Sequence, residues 1–412
     1  MKNSTFLSLL AAGALAVPAF AQTAEPSDAP TAKWGPRIAL EDNGIRPWVT
    51  VTGELWNNVD GDMIGGRDNL WNTLVDFGVE IDLGKFGGPA TGMIVLQGHW
   101  TESSDSSGGL GSVGSHNSAS NIWASDSLRA FNLYYTQSWN NGEYAVKIGQ
   151  IAADDDFMGS DYSSLFLNGS FGTMPAATGA TPRFGTDTVA YNGYPVAAPG
   201  VWFKWTPNEK YSWQNAIYLG GPGDDIHSNH GFDWKSLSST GFLWMTEGAV
   251  NFDLAGKPST FKLGGTLHTK DFENYDTGNT ESTVYSLYFV HDFAISMNAD
   301  KVGLGGFWRA SITPQEDVAT AFIYMDAGIN WFAPFASRPD DVAGAALSWT
   351  KLGGAYKDSV NAENGNEFTL ELTYKAQLTS YWTLQADVQY VINPVENDDN
   401  AIVLGLRTVL NF

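Results

Sequence analysis

The segment Ala401-Ile-Val-Leu-Gly-Leu-Arg-Thr-Val-Leu-Asn-Phe412 alternates with period two and stops on an aromatic at the carboxyl terminus. One face carries Phe412, Leu410, Thr408, Leu406, Leu404 and Ile402; the other carries Asn411, Val409, Arg407, Gly405 and Val403. This is what a strand needs when one side meets lipid, the other meets a wet lumen, and an aromatic sits at the interface. A soluble sandwich strand also alternates, so the rest of the chain has to decide between them.

The amino terminus gives an address. Lys2 precedes the apolar run 6–17, and Ala19-Phe20-Ala21 fits the small-residue cleavage rule, so residues 1–21 read as a signal peptide cut before Gln22. The run is too short to span a bilayer, and no later stretch reaches 18 apolar residues. Any membrane span must then be made of strands. A polar barrel interior reconciles this with a mean hydropathy of -0.18. The chain has no Cys, which excludes disulfides and thiolate metal sites. Its net charge of -23 repels nucleic acid and disfavours a phosphate-selective pore lined with Lys or Arg.

Residues 22–46 are rich in Pro, Ala and Thr with little strand pattern, and are expected to form a periplasmic leader. From Pro47 to the end (47–412), alternation predicts strands at 48–56, 73–83, 90–100, 128–139, 143–151, 199–206, 210–219 and 241–254, then 259–270, 283–293, 300–311, 319–331, 342–350, 366–378, 381–392 and 401–412. That is about sixteen, an even number as bacterial single-chain barrels require. The connections sort by parity. Short ones (140–142, 207–210, 255–258, 379–380) alternate with long polar ones (57–72, 101–127, 152–198, 220–240), as periplasmic turns and extracellular loops do. A sandwich has no reason to do this. Two connections fit poorly: 313–317 is short for a loop and 332–340 is long for a turn. The expected fold is an all-β transmembrane outer-membrane barrel of about 16 antiparallel strands, with the long third outer loop folded inward.

Several blocks then resemble one family. Glu371-Leu-Thr-Tyr374, Leu384-Gln385, Asp387-Val-Gln-Tyr390, Asn393-Pro394 and Gly405-Leu-Arg407 form a closing pattern. A second block holds Gly149-Gln150, Asp156-Phe157, Phe166-Leu-Asn168, Phe171-Gly172, Tyr194-Pro195 and Pro199-Gly200; Arg338-Pro-Asp340-Asp341 adds a third. In order and spacing these are similar to the carbohydrate-selective porin (OprB) family over most of the chain. Ala386 stands where the family pattern has Pro, and Met174–Gly193 is longer than usual. The resemblance implies a sixteen-stranded barrel in the bacterial outer membrane that admits glucose-type sugars by facilitated diffusion.

A sugar presents paired hydroxyls and an apolar ring face, so a selective channel calls for aromatic planes beside charged or amide groups. The loop 152–198 is long enough to enter the lumen and carries Asp154, Asp155, Asp156, Phe157, Asp161, Tyr162, Phe166, Arg183 and Phe184. On the wall, alternation points Trp56, Tyr134, Trp202, Lys204, Phe307, Arg309, Glu371 and Arg407 inward. The candidate sugar contacts are therefore Asp154, Asp156, Phe157, Arg183, Trp202, Lys204, Arg309, Glu371 and Arg407, although any single wall residue is better explained as ordinary lumen lining. A guanidinium fork suits adjacent hydroxyls, so Arg309→Gln or Arg407→Gln is expected to weaken glucose block of ion current.

Enzyme-like signals are weak. Gly109-Leu-Gly111-Ser-Val-Gly114 lies in a polar loop with no helix after it, and Asp154–Asp156 lacks the Gly and Glu of an EF-hand loop. His227 and His230, near Asp224 and Asp225, sit in a Gly- and Pro-flanked loop rather than a metal-site pattern. No cofactor and no catalytic set is expected. The expected partners are small-molecule sugars, outer-membrane lipid and the barrel-assembly machinery, and a homo-oligomer is compatible with the sequence. The rival readings are a cation-preferring diffusion porin, an outer-membrane enzyme and a secreted sugar-binding β-protein.

Overall fold

The computed structural model describes residues 35–61, 69–104, 114–178, 192–221, 230–232, 234, 240–298, 301–395 and 399–412. The signal peptide, Arg183, Phe184, Asp224, Asp225, His227 and most of the Gly109–Gly114 motif lie outside these residues. The end of the expected leader is a short helix, α1 (Gly35–Asp42), braced by Arg37 to Glu41 at 2.8 Å one turn on. It stops at Gly44, whose φ of 82° is readily available only without a Cβ.

Sixteen strands follow: β1 (Ile45–Asp60), β2 (Asn69–Asp82), β3 (Met93–Ser103), β4 (Ser127–Trp139), β5 (Tyr144–Ile151), β6 (Ala198–Asn208), β7 (Tyr211–Leu219) and β8 (Phe242–Leu254). The second half comprises β9 (Lys257–Glu273), β10 (Thr280–Ala294), β11 (Gly303–Ile312), β12 (Ala321–Phe332), β13 (Val342–Leu352), β14 (Asn366–Thr379), β15 (Trp382–Ile392) and β16 (Ala401–Asn411). Each pairs antiparallel with its neighbours in sequence, and β1 pairs with β16 from Thr50↔Asn411 onward, closing the barrel. Closure leaves no unpaired edge for another chain to extend. Every strand expected from alternation is present, with ends displaced by a few residues at most.

The two faces differ as the alternation requires. Leu55, Val201, Ile217, Leu263, Leu287, Leu372 and Leu406 are exposed on the outside, while Trp56, Trp202, Glu247, Arg309, Glu371 and Arg407 are buried within. Exposed Trp139, Trp205, Tyr211, Trp213, Trp331, Tyr381 and Trp382 lie near the short-turn rim, as an interfacial girdle does. Long connections collect at one end and short turns at the other with both chain ends. The misfit turn after β12 is explained by the Arg338-Pro-Asp-Asp341 motif. The Arg338 guanidinium donates to Asp341 at 2.8 and 3.0 Å, and Asp341 also accepts from Gln377 N (3.0 Å) and the Tyr374 hydroxyl. The long turn is stapled onto β14.

Candidate functional site

The described residues of the segment between β5 and β6 form three tight 3-10 turns, Ala153–Asp155, Ser163–Leu165 and Gly169–Phe171, and one helical turn, α2 (Pro175–Thr178). Such a chain cannot satisfy its own backbone groups, so partners must come from elsewhere. They come from the inner wall. Glu371 on β14 accepts from Leu167 N (2.6 Å) and Asn168 N (3.0 Å), while Asp292 on β10 accepts from Ser160 Oγ (2.5 Å) and Asp161 N (3.1 Å). Glu247 on β8 accepts from Met158 N at 3.0 Å, and Lys262 on β9 donates to Gly159 O at 2.7 Å.

Arg309 on β11 is the largest of these anchors. It is fully buried, pairs with Asp326 through Nε at 3.0 and 3.1 Å, and donates to Gly172 O (2.8 Å) and Phe171 O (2.7 Å). Beside it Phe166, Phe171 and Phe307 form a ring cluster with centroids 5.1 to 6.4 Å apart. Wall and loop approach closely at Gly305 and Gly344, where an added Cβ would collide with Tyr162 Cε1 and lie 2.6 Å from Leu165 Cδ2, respectively. The motifs Phe166-Leu-Asn168 and Phe171-Gly172 therefore mark where the segment is fastened.

A second segment, which the sequence reading passed over, joins the same assembly. Between β3 and β4, Ser115, His116 and Asn117 donate to Glu367, and Ser120 Oγ donates to Glu54 at 2.6 Å. Arg407 is engaged here, with Nε donating to Glu54 at 2.6 Å and Nη2 to Asn121 Oδ1 at 2.5 Å. The two segments are also bonded to each other, Asn121 N to Leu167 O (2.8 Å) and Gly169 N to Ser118 O (2.7 Å). Its signal in the sequence was the run of short Ser and Asn side chains over 115–121, residues suited to local backbone bonding.

A cluster of different character lines β4 to β7. Lys147 on β5 donates to both oxygens of Asp156 at 2.7 and 2.9 Å, with Nζ 5.3 Å from the Tyr134 ring centroid and 4.8 Å from that of Trp202. Trp202 is almost wholly buried, its indole N–H donating to Gln214. Lys147, Asp156, Tyr134 and Lys204 keep some exposure. Phe157 lies in the apolar cluster with Trp202, Tyr218 and Met245. The structure thus brings Asp156, Phe157, Trp202 and Lys204 together with Lys147, which was not singled out in the sequence. Arg309, Glu371 and Arg407 belong to the fastening points instead, their polar groups bonded to the chain itself.

Asp154 is buried and accepts from Tyr194 N at 2.8 Å, while its Oδ1 has no hydrogen-bond partner. Burial raises its carboxyl to about 7, and burial together with Asp154 raises Asp155 well above the usual range. An unfolded Asp titrates near about 3.9. The folded chain therefore holds more protons than the unfolded one between about pH 4 and about pH 7, and stability contributed here falls as pH rises through that window. Thermal unfolding of folded barrel should show this decline, and Asp154→Asn should flatten it. Equal slopes in both proteins would contradict the assignment.

Comparison with known proteins agrees with this architecture. The model of the "Carbohydrate-selective porin, OprB family" matches residues 73–412. Porin B of Pseudomonas aeruginosa is 23% identical over 445 residues, covering 97% of this chain and 95% of that protein. The high-pH structure of Pseudomonas putida OprB superposes with a TM-score of 0.80 at 19% identity, covering 92% and 96% of the two chains. The low-pH structure of the same protein gives 0.58 at 16% identity, with the same coverage. With the family model spanning β2 through β16 and the same barrel in a solved relative, the chain belongs to the OprB family of carbohydrate-selective porins of the bacterial outer membrane.

Proposed function

We propose that the chain passes glucose-type sugars by facilitated diffusion, without covalent chemistry, through a constriction made by segments 115–125 and 152–178 lying across the lumen. The observation that carries this reading is the Lys147–Asp156 pair beside Tyr134: a donor, an acceptor and an aromatic surface, all partly accessible. Neighbouring sugar hydroxyls need a donor and an acceptor side by side, and no single contact there is strong enough to trap the solute. Arg309, Glu371 and Arg407 support the constriction in this reading rather than touch sugar, and Arg183 has no assigned role. Residues 1–21 serve as the export signal and 22–46 as the leader. The apolar outer face meets lipid after insertion by the barrel-assembly machinery, and is compatible with a homo-oligomer.

Liposome swelling with glucose, larger oligosaccharides and amino acids of similar size tests the reading. Glucose should enter faster than an amino acid of equal size, and deleting Thr173–Ala190 should raise conductance while narrowing that difference. An unchanged conductance would place the segment on the outer surface instead. The net charge of -23 favours a second reading, a cation-preferring diffusion pore. It predicts a strongly cation-selective reversal potential and no sugar block.

A further inference from the structure

Among the cations of the inner wall, Lys204 stands out by having no hydrogen bond or ion pair among the described residues. Arg309 pairs with Asp326, Arg407 with Glu54 and Lys147 with Asp156. Lys262 donates to a neutral carbonyl, Gly159 O. Lys204 has no hydrogen bond and no ion pair among the described residues, yet it is only partly buried on the same face. It lies across from Ala145 on β5 and Gln214 on β7, two residues beyond Trp202 toward the short-turn end. Its charged neighbours are Asp156, Lys262, Glu247 and Lys147.

The two carboxylates in that group already hold partners of their own. Asp156 accepts both of its bonds from Lys147. Glu247 accepts from Met158 N (3.0 Å), Gln214 Nε2 (2.9 Å) and the Tyr288 hydroxyl (3.0 Å). Three ammonium groups thus gather around Asp156 and Glu247, with Asp155 also near Lys147 and Asp292 near Lys262. An ammonium in this position is unsatisfied until a solute or water supplies an acceptor, and a charged acceptor does so more strongly than a hydroxyl. Attraction at this point is local, because the field of distant acidic groups is screened beyond a Debye length.

We propose that Lys204 is a carboxylate-binding point in the lumen, and that the channel takes up sugar acids, aldonates or uronates, as well as neutral sugars. This rests on the sugar-conducting reading above. The strand pitch puts Lys204 about 7 Å beyond the level of Lys147 and Trp202 along β6. A six-carbon sugar acid spans that interval with its carboxylate at Lys204 and its hydroxyls at Lys147 and Asp156. A neutral sugar engages only the latter pair. Lys204 binds and releases solute, and no bond is made or broken.

The test is block of ion current through the reconstituted full barrel by gluconate and by glucose, in wild type and in Lys204→Met and Lys204→Arg. Met keeps the aliphatic stem without the charge, and Arg restores the charge. Heat-modifiable migration confirms that each variant is folded. Gluconate should block wild type more tightly than glucose at about 0.1 M salt, and this preference should shrink at about 1 M, where screening is stronger. Losing one charge-assisted contact should weaken gluconate block about tenfold or more in Lys204→Met. Glucose block should weaken far less than gluconate block, and Arg should recover the gluconate preference. If glucose blocks wild type but gluconate blocks no better, or if Met weakens both equally, the proposal is overturned while the sugar-conducting reading stands. If glucose neither blocks nor permeates, the sugar-conducting reading fails, and Lys204 would then be judged on gluconate alone, with salt-insensitive gluconate block rejecting it too.

Discussion

Arg309→Met should raise single-channel conductance and abolish most discrimination between glucose and larger oligosaccharides, while leaving a folded barrel. The guanidinium is fully buried and joins Asp326 on β12 to the carbonyls of Phe171 and Gly172. Removing one member of a buried ion pair costs about 3–5 kcal/mol, because the remaining charge has no counter-ion. That cost falls on the junction between segment and wall, since the ladder hydrogen bonds of β11 and β12 do not involve the side chain. Arg309→Met with Asp326→Leu removes both charges and should restore thermal stability without restoring the bonds to the segment. Swelling rates and conductance should then remain abnormal in the double variant. Unchanged discrimination in the single variant would show that the segment does not depend on Arg309. This expectation differs from a simple loss of sugar contact, which would change block but not conductance.

Deleting Phe412, or changing it to Asp, should sharply reduce the yield of heat-modifiable barrel. Phe412 N donates to Val49 O at 2.8 Å, so the terminal residue completes the pairing of the last strand with the first. Its ring is exposed on the outward face beside the short-turn rim, where an aromatic is favoured by the interface. A carboxylate there replaces a favourable interfacial contact with a charge near lipid, at a depth where the penalty is about 0–1 kcal/mol. We propose that the larger effect arises before folding, with the terminal aromatic serving as part of the signal recognised by the barrel-assembly machinery. Comparing heated and unheated samples on a denaturing gel measures the folded fraction. Normal yields from both variants would remove Phe412 from any role in assembly.

The number of strands, their order and the face each residue occupies were legible in the sequence alone. Period two is a local property: Leu370 and Glu371 must point to opposite faces whatever the rest of the chain does. The parity of the connections is equally local, although the long turn at 332–340 fitted poorly until the structure showed Arg338 and Asp341 pairing within it. The identity of the anchoring segment also showed, because Phe166-Leu-Asn168 and Phe171-Gly172 stood out as a pattern. What alternation could not state is what fills the lumen opposite a given inward side chain. Arg407 meets Glu54 and Asn121 at separations of 353 and 286 residues, and Glu371 meets Leu167 at 204. Such pairings depend on closure of the barrel and on where two irregular segments settle, and irregular backbone has no period to read. The same inward face therefore holds groups of opposite fate, Arg309 sealed against four carbonyls and a carboxylate, Lys204 with no hydrogen bond or ion pair among the described residues. Sequence periodicity assigns the face. Only the tertiary structure decides whether that face meets protein or water, because burial there depends on where segments remote in sequence come to rest.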